Sequence, residues 1–137
     1  MQIIIYQDQD GLAVIHPAPG ATLEQIVTCV PSGAPYAVMQ HDDLPEDRYF
    51  RDAWKLEAGQ LAIDIEGAKE IQRNVWRKLR APKLEALDLA FLRALEAGDT
   101  VAQADITAQK TALRDVTETA LPNDLEGIRN TVPQILL

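Results

Sequence analysis

The sequence has few of the residues on which several protein classes depend. It contains one cysteine, Cys29, so no disulfide can form within the chain and a disulfide-stapled scaffold is excluded. The longest apolar run near the start covers only residues 3–6, far below the roughly 20 residues of a membrane span. No basic segment followed by a long apolar run is present, so a signal peptide is not expected. These features predict a soluble, cytoplasmic protein.

Basic residues are also few in comparison with acidic ones. The 137 residues include 21 Asp and Glu against 13 Lys and Arg, which gives a net charge of −8. That balance argues against a surface built for nucleic acid or for an anionic membrane. The chain is 47% hydrophobic and 25% charged, a composition typical of a globular protein that can bury its own core.

The first half has the pattern of strands and turns. Asp10-Gly11 favours a tight turn between two strands, because glycine accepts a positive φ at no steric cost. Thr22 and Gln25 have the spacing of a capping box and predict the start of a short helix. The predicted strands are residues 2–6, 12–16, 36–40, 49–56 and 60–65.

From residue 66 the pattern becomes helical. Residues 68–80 contain good helix formers, and Pro82 predicts a break or a kink in that helix. Gly98 predicts a helix end, with Asp99 or Thr100 capping the next helix and a short last helix near residues 122–130. The predicted apolar stripes are Leu84, Leu87, Phe91 and Leu95 on one helix, and Ala102, Ile106, Leu113 and Val116 on the next.

These patterns predict an α+β fold. Residues 1–65 would form a small antiparallel sheet with one helix, and residues 66–137 a helical segment with an antiparallel helical hairpin. The charge divides at the same boundary, with 10 acids and 3 bases (net −7) before it and 11 acids and 10 bases (net −1) after it. Whether the two parts pack as one domain stays open.

The most distinctive feature of the helical half is a basic stripe, which consists of Lys69, Arg73, Arg77 and Arg80. These four residues are separated by 4, 4 and 3 positions and therefore share one helix face. The interpretation we favour is a solvated face, or one that pairs with the acidic half. An acidic protein partner is the second interpretation and nucleic acid the third. The candidate partner-binding residues are Lys69, Arg73, Trp76, Arg77 and Arg80, although core packing is favoured for Trp76.

The sequence carries no recognisable catalytic, cofactor or metal motif. His41-Asp42-Asp43 lacks the second histidine or the cysteines of a zinc site, and it lacks the glycine of a calcium loop. Cys29 lies between apolar residues, which favours a small buried side chain over a nucleophile. The glycines are scattered and form no phosphate-binding loop. We therefore expect no catalytic residue, no metal and no cofactor.

Several stretches together carry a family resemblance. They are residues 44–54 (LPEDRYFRDAW), the strand that ends at Ile65, the helix start at residues 68–70, then residues 81–84, 87–88, 93–99 and 110–117, the last including Leu113-Arg114-Asp115-Val116-Thr117. They resemble small proteins encoded near the tail-fibre genes of phages and prophages. The LRDVT stretch is similar to the end of phage tail assembly chaperone domains. The resemblance covers residues 12–122.

The resemblance implies a non-enzymatic phage or prophage protein that assists tail or tail-fibre assembly in the cytoplasm of the bacterial host. Its partner would be a tail or tail-fibre protein, and a homo-oligomer is a further possibility. Two alternatives stay open. One is a structural virion component or oligomeric scaffold, and the other is a nucleic-acid-associated regulator that uses the basic helix face.

Overall fold

The computed structural model describes residues 1–137 and contains a small antiparallel sheet together with several helices. Helical residues make up 52% of the chain and strand residues 18%, which confirms the predicted α+β class. The chain has two compact units, Met1–Ala68 and Lys69–Leu137.

The first unit begins with a hairpin whose strands are β1 (Gln2–Asp8) and β2 (Gly11–Ile15). Asp8 pairs with Gly11, so Gln9 and Asp10 form the two-residue turn. Gly11 has a φ of 132°, a conformation that residues with side chains rarely adopt. The predicted hairpin is confirmed, but its turn lies one residue earlier than the Asp10-Gly11 pair.

The central strand of the sheet is β1, in the order β2-β1-β3, with β3 at Tyr36–Gln40. A short helix, α1 (Leu23–Val27), lies between β2 and β3 in the chain. The Thr22 hydroxyl accepts from the Gln25 amide, and the Gln25 side chain accepts from the Thr22 amide at 2.9 Å. This reciprocal capping box and the third strand are both as the sequence predicts.

A second antiparallel pair of strands consists of β4 (Trp54–Glu57) and β5 (Gln60–Ile63). Ala58 and Gly59 form the turn with φ values of 51° and 76°, as a tight two-residue hairpin loop requires. The predicted first strand over residues 49–56 is too long. Residues Arg51–Ala53 form a 3-10 turn instead, because buried Phe50 and Ala53 are three residues apart, a helical spacing.

The core of the first unit lies on one face of the three-stranded sheet. Its buried residues are Ile3, Ile5, Leu12, Leu44 and Trp54. The guanidinium carbons of Arg48 and Arg51 lie 5.0 and 4.7 Å from the Trp54 ring centroid, within the range of cation–π attraction. The Trp54 indole nitrogen is buried without a hydrogen-bond partner, which costs about 1–3 kcal/mol.

One continuous helix, α2 (Ile65–Glu96), passes through Pro82. Of the two predicted outcomes at Pro82, a break is therefore excluded, and a kink stays a prediction. A proline inside a helix removes one backbone hydrogen bond and crowds the preceding turn, at a local cost of about 3 kcal/mol. Strong helix formers, Leu-Arg-Ala before Pro82 and Lys-Leu-Glu-Ala after it, favour continuation on both sides.

The next helix, α3 (Thr100–Arg114), follows a short turn after α2. Gly98 has a φ of 67°, which is the left-handed conformation typical just after a helix end. Asp99 is the N-cap, and its carboxylate accepts a hydrogen bond from the Ala102 amide at 3.0 Å. The Gln103 side chain donates to the Ala94 carbonyl near the end of α2.

Side-chain contacts show that α2 and α3 run antiparallel. In order along α3 they are Gln103 Nε2 to the Ala94 carbonyl, Lys110 Nζ to Asp88 Oδ1, and Arg80 Nη1 to the Arg114 carbonyl. Residue numbers rise on α3 as they fall on α2, so the predicted helical hairpin is antiparallel as expected.

Buried polar side chains of α2 bind the end of the chain. After α4 (Leu125–Asn130), the Thr131 carbonyl accepts from Gln72 Nε2 and from Trp76 Nε1, each at 3.0 Å. Gln72 also donates to the Arg129 carbonyl at 3.3 Å. A 3-10 turn at Gln134–Leu136 follows. The buried cluster here consists of Trp76, Leu113, Val116 and Leu136.

The two tryptophans provide a matched test of these buried hydrogen bonds. Trp54 and Trp76 are 2% and 0% exposed, but only the Trp76 indole has an acceptor. We expect Trp76→Phe to lower the free energy of unfolding by about 1–3 kcal/mol more than Trp54→Phe, which removes an unpaired donor. Urea denaturation followed by circular dichroism measures both losses, and equal losses would contradict this account.

Candidate functional site

The predicted basic stripe lies on α2, and the side chains at its two ends form hydrogen bonds within the second unit. Lys69 Nζ donates to Asn123 Oδ1 at 2.7 Å. Arg80 Nη1 donates to the Arg114 carbonyl at 2.8 Å, at the end of α3 where helix carbonyls lack partners within their own helix. Both cations thus act as structural donors toward later parts of the chain.

The two middle residues of the stripe share one carboxylate. Arg77 Nη1 lies 2.6 Å from Glu70 Oε1 and also donates to Asn74 Oδ1 at 2.6 Å. Arg73 Nη1 lies 3.5 Å from Glu70 Oε2. One negative charge therefore offsets part of the charge of two guanidinium groups, and the stripe is much less basic than its sequence indicates.

The two guanidinium groups beside Glu70 lower the pKa of its carboxyl group. The hydrogen bond from the Arg77 guanidinium is the largest influence and holds the pKa of the Glu70 carboxyl below its usual value. Partial burial opposes this shift, and the positive charges of Arg77 and Arg73 add to it. Since half of the Glu70 side chain is exposed, solvent screens the interaction.

Trp76, the fifth candidate residue, lies in the core. Its side chain is fully buried, and its indole nitrogen is bonded to the Thr131 carbonyl. It offers no surface to a partner in this structure, which agrees with the core packing favoured for it. Of the five candidate partner-binding residues, only Arg73 and Arg77 are neither buried nor bonded to a later segment of the chain.

The two histidines, distant in sequence, lie together in the first unit. The ring centroids of His16 and His41 are 5.4 Å apart in an edge-to-face arrangement. His41 Nδ1 is 3.5 Å from Asp42 Oδ1. No group of three or more His, Cys, Asp or Glu side chains is arranged to hold a metal ion. Cys29 is exposed, so the expectation that it is a buried apolar residue is wrong.

The cysteine is exposed because α1 ends early. Helix α1 stops at Val27, and Cys29 lies in the turn that follows, with its Sγ 4.0 Å from the Gln25 carbonyl. Ile26 is the buried residue of this helix. A helix of this length covers the sheet with a single side chain, so the neighbouring positions remain in water.

No protein-family model matches the chain, and neither a curated protein nor a solved structure was found to be similar to it. None of its helices combines the length and the apolar content that crossing a membrane requires.

The structure reveals two surfaces that the sequence patterns did not single out. The first is a row of exposed apolar residues near the tip of the α2–α3 hairpin, formed by Leu89, Leu92, Leu95 and Val101 and called the leucine row below. Leu95 belongs to the predicted apolar stripe of α2 but is exposed, whereas Leu84 and Leu87 of the same stripe pack against the buried cluster. The second surface is the outer edge of β3. The sequence signal that could have indicated the leucine row is that this helix has more leucines than one buried stripe requires.

Replacing Glu70 by glutamine tests whether its carboxylate matters to the basic stripe. Because the folded-state pKa is lowered, the stabilisation is fully present above the unfolded pKa of about 4.5 and is lost as the pH falls through the folded pKa. We expect Glu70→Gln to cost about 0.2–1 kcal/mol near pH 7 and progressively less as falling pH protonates Glu70.

The measurement is urea denaturation of both chains across this pH range. Glu96→Gln, which removes the same charge near the exposed end of α2, serves as the control and should show a smaller effect. A Glu70→Gln effect that stays constant with pH would contradict the assigned charge interaction.

Proposed function

We propose that this chain is a non-enzymatic phage or prophage protein that assists tail or tail-fibre assembly through protein–protein contacts. The resemblance over residues 12–122 suggests the class of partner. The structural observation that supports the proposal is the leucine row, an apolar surface that the folded chain leaves in water.

The leucine row is apolar surface in excess of what the second unit uses for its core. Leu89, Leu92 and Leu95 are 51%, 56% and 54% exposed, and Val101 is 80% exposed. Leu84 and Leu87 of the same helix pack against the buried cluster instead. Fully burying a leucine yields about 1.5–3 kcal/mol, so half-exposed leucines retain about 1 kcal/mol each for a partner.

The size of this gain suits an assembly helper. Such a protein covers apolar surface on an incomplete partner, where partly assembled proteins aggregate, and leaves when the partner's own contacts form. A few kcal/mol of apolar burial is no larger than the entropy cost of association, so the leucine row binds a partner only together with further contacts, and such a complex is reversible. A large, fully apolar interface would instead be typical of a permanent subunit.

A structural virion component or oligomeric scaffold is the second candidate function. The same leucine row favours it, since an exposed apolar face can also pair with the same face of a second copy. A virion component would be abundant in purified particles, whereas a helper would be absent from them. The basic stripe gives little support to a nucleic-acid regulator, because its cations are already engaged by acceptors within the second unit.

Co-expression with a phage tail-fibre protein tests the proposed function. We expect the chain to co-purify with that protein and to raise its soluble yield. The Leu92→Glu/Leu95→Glu variant should lose both effects, because charges replace the apolar surface. Ala104→Glu/Ala108→Glu, which adds the same charge at exposed positions of α3, should retain both.

Thermal denaturation establishes that both double variants are folded before the yields are compared. No co-purification and no change in yield with the unaltered chain would contradict the proposal. Equal loss with both variants would show that added charge, and not the leucine row, is responsible.

A further inference from the structure

The outer edge of β3 has free backbone hydrogen-bonding groups. β3 has a neighbouring strand on one side only, which is β1. The His41 amide donates to the Met1 carbonyl and the Gln7 amide to the Pro35 carbonyl, which fixes the β3 positions that bond to β1. In an antiparallel pair these positions alternate with positions that point away. The groups that point away are the N–H and C=O of Tyr36 and Val38 and the N–H of Gln40, since the Gln40 carbonyl begins the 3-10 turn at His41–Asp43.

This edge has none of the features that normally prevent another strand from pairing with it. Edge strands are commonly protected by charged residues, by proline or by a bulge. Residues 36–40 read Tyr-Ala-Val-Met-Gln, without charge or proline, and the pairing with β1 is continuous across all five. Tyr36 and Val38 are also exposed. The edge therefore carries no charge, proline or bulge that would oppose a further strand.

A groove of about 450 Å³ lies beside the edge. Its lining includes the apolar side chains of Ile5, Ala37, Met39 and Leu61, together with the carboxylate of Asp43. In a strand paired with β3, alternate side chains would point toward this side of the sheet. The lining suits apolar side chains at those positions and a cation near Asp43.

The charge of the first unit favours a basic occupant. Residues 1–65 carry a net charge of −7, and the acidic residue that lines the groove is Asp43. Such a field attracts a basic segment and raises its association rate. It also opposes pairing of β3 with β3 of a second copy, because two units of the same charge would have to meet.

We propose that the β3 edge and its groove bind an extended segment of another protein by strand addition, and that this segment alternates apolar and basic residues. Backbone hydrogen bonds to Tyr36, Val38 and Gln40 supply affinity, and the groove selects the side chains. The inference goes beyond the proposed role in tail assembly, since it concerns the first unit and does not involve the leucine row.

The first test uses a fluorescein-labelled decapeptide of alternating valine and lysine and measures its fluorescence anisotropy with the full chain. We expect saturable binding that is at least about tenfold tighter than that of the valine–glutamate counterpart. N-methylation of one alternate set of peptide nitrogens should abolish binding, whereas methylation of the other set should not. Only pairing through one edge of the peptide produces this asymmetry.

The second test alters the edge itself. Val38→Pro removes an outward N–H without removing a hydrogen bond to β1, which is the position where an edge strand tolerates proline. We expect it to weaken binding by about five- to tenfold, while Val38→Thr, which keeps the N–H, changes binding less than about twofold. If Val38→Pro does not fold, the methylated peptides still decide the question on the unaltered chain.

Three results would overturn the proposal. The first is no binding of the valine–lysine peptide, or equal binding of the valine–glutamate peptide. The second is equal binding of the two methylated peptides, which would indicate side-chain contact without strand pairing. The third is a dimer in sedimentation that Val38→Pro abolishes while no peptide binds, which would make a second copy the occupant of the edge.

Discussion

Complete burial of three consecutive isoleucines is the constraint on which the first unit depends. Ile3, Ile4 and Ile5 lie in one strand, so their side chains point alternately to opposite faces, and at most 1% of each is exposed. Both faces of β1 must therefore be covered, by the Trp54 core on one side and by α1 with its buried Ile26 on the other. The two edges of β1 are paired as well, with β2 on one side and β3 on the other, so β3 is an outer strand of this sheet.

In the second unit, polar groups organise the chain. Gln72 and Trp76 bind the Thr131 carbonyl from inside the core, and Lys69 and Arg80 bind acceptors in later segments. The basic stripe, which in sequence looks like a binding surface, thus serves largely to hold the helical unit together. The unit also leaves several leucines exposed, and this shifts the expected recognition from charge toward apolar contacts.

Local signals in the sequence were sufficient for many of the elements. The Thr22–Gln25 box and the turn glycine Gly98 specify their elements through interactions within a few residues. The continuity of α2 through Pro82 was not predictable in this way, because packing and helix propensity on both sides outweigh a local penalty. The acceptors of the basic stripe and the free edge of β3 depend on segments far apart in sequence, so helical spacing alone could not reveal them.

The central claim is that this chain acts by binding another protein through the leucine row and the β3 edge, and not through the basic stripe. The decisive measurement is hydrogen–deuterium exchange of the chain alone, with the proposed tail-fibre partner, and with the valine–lysine peptide. We expect added protection at the amides of residues 89–101 with the protein partner and of residues 36–40 with the peptide, and little change at residues 73–77 with either. Protection confined to residues 69–80, or no protection anywhere, would contradict it.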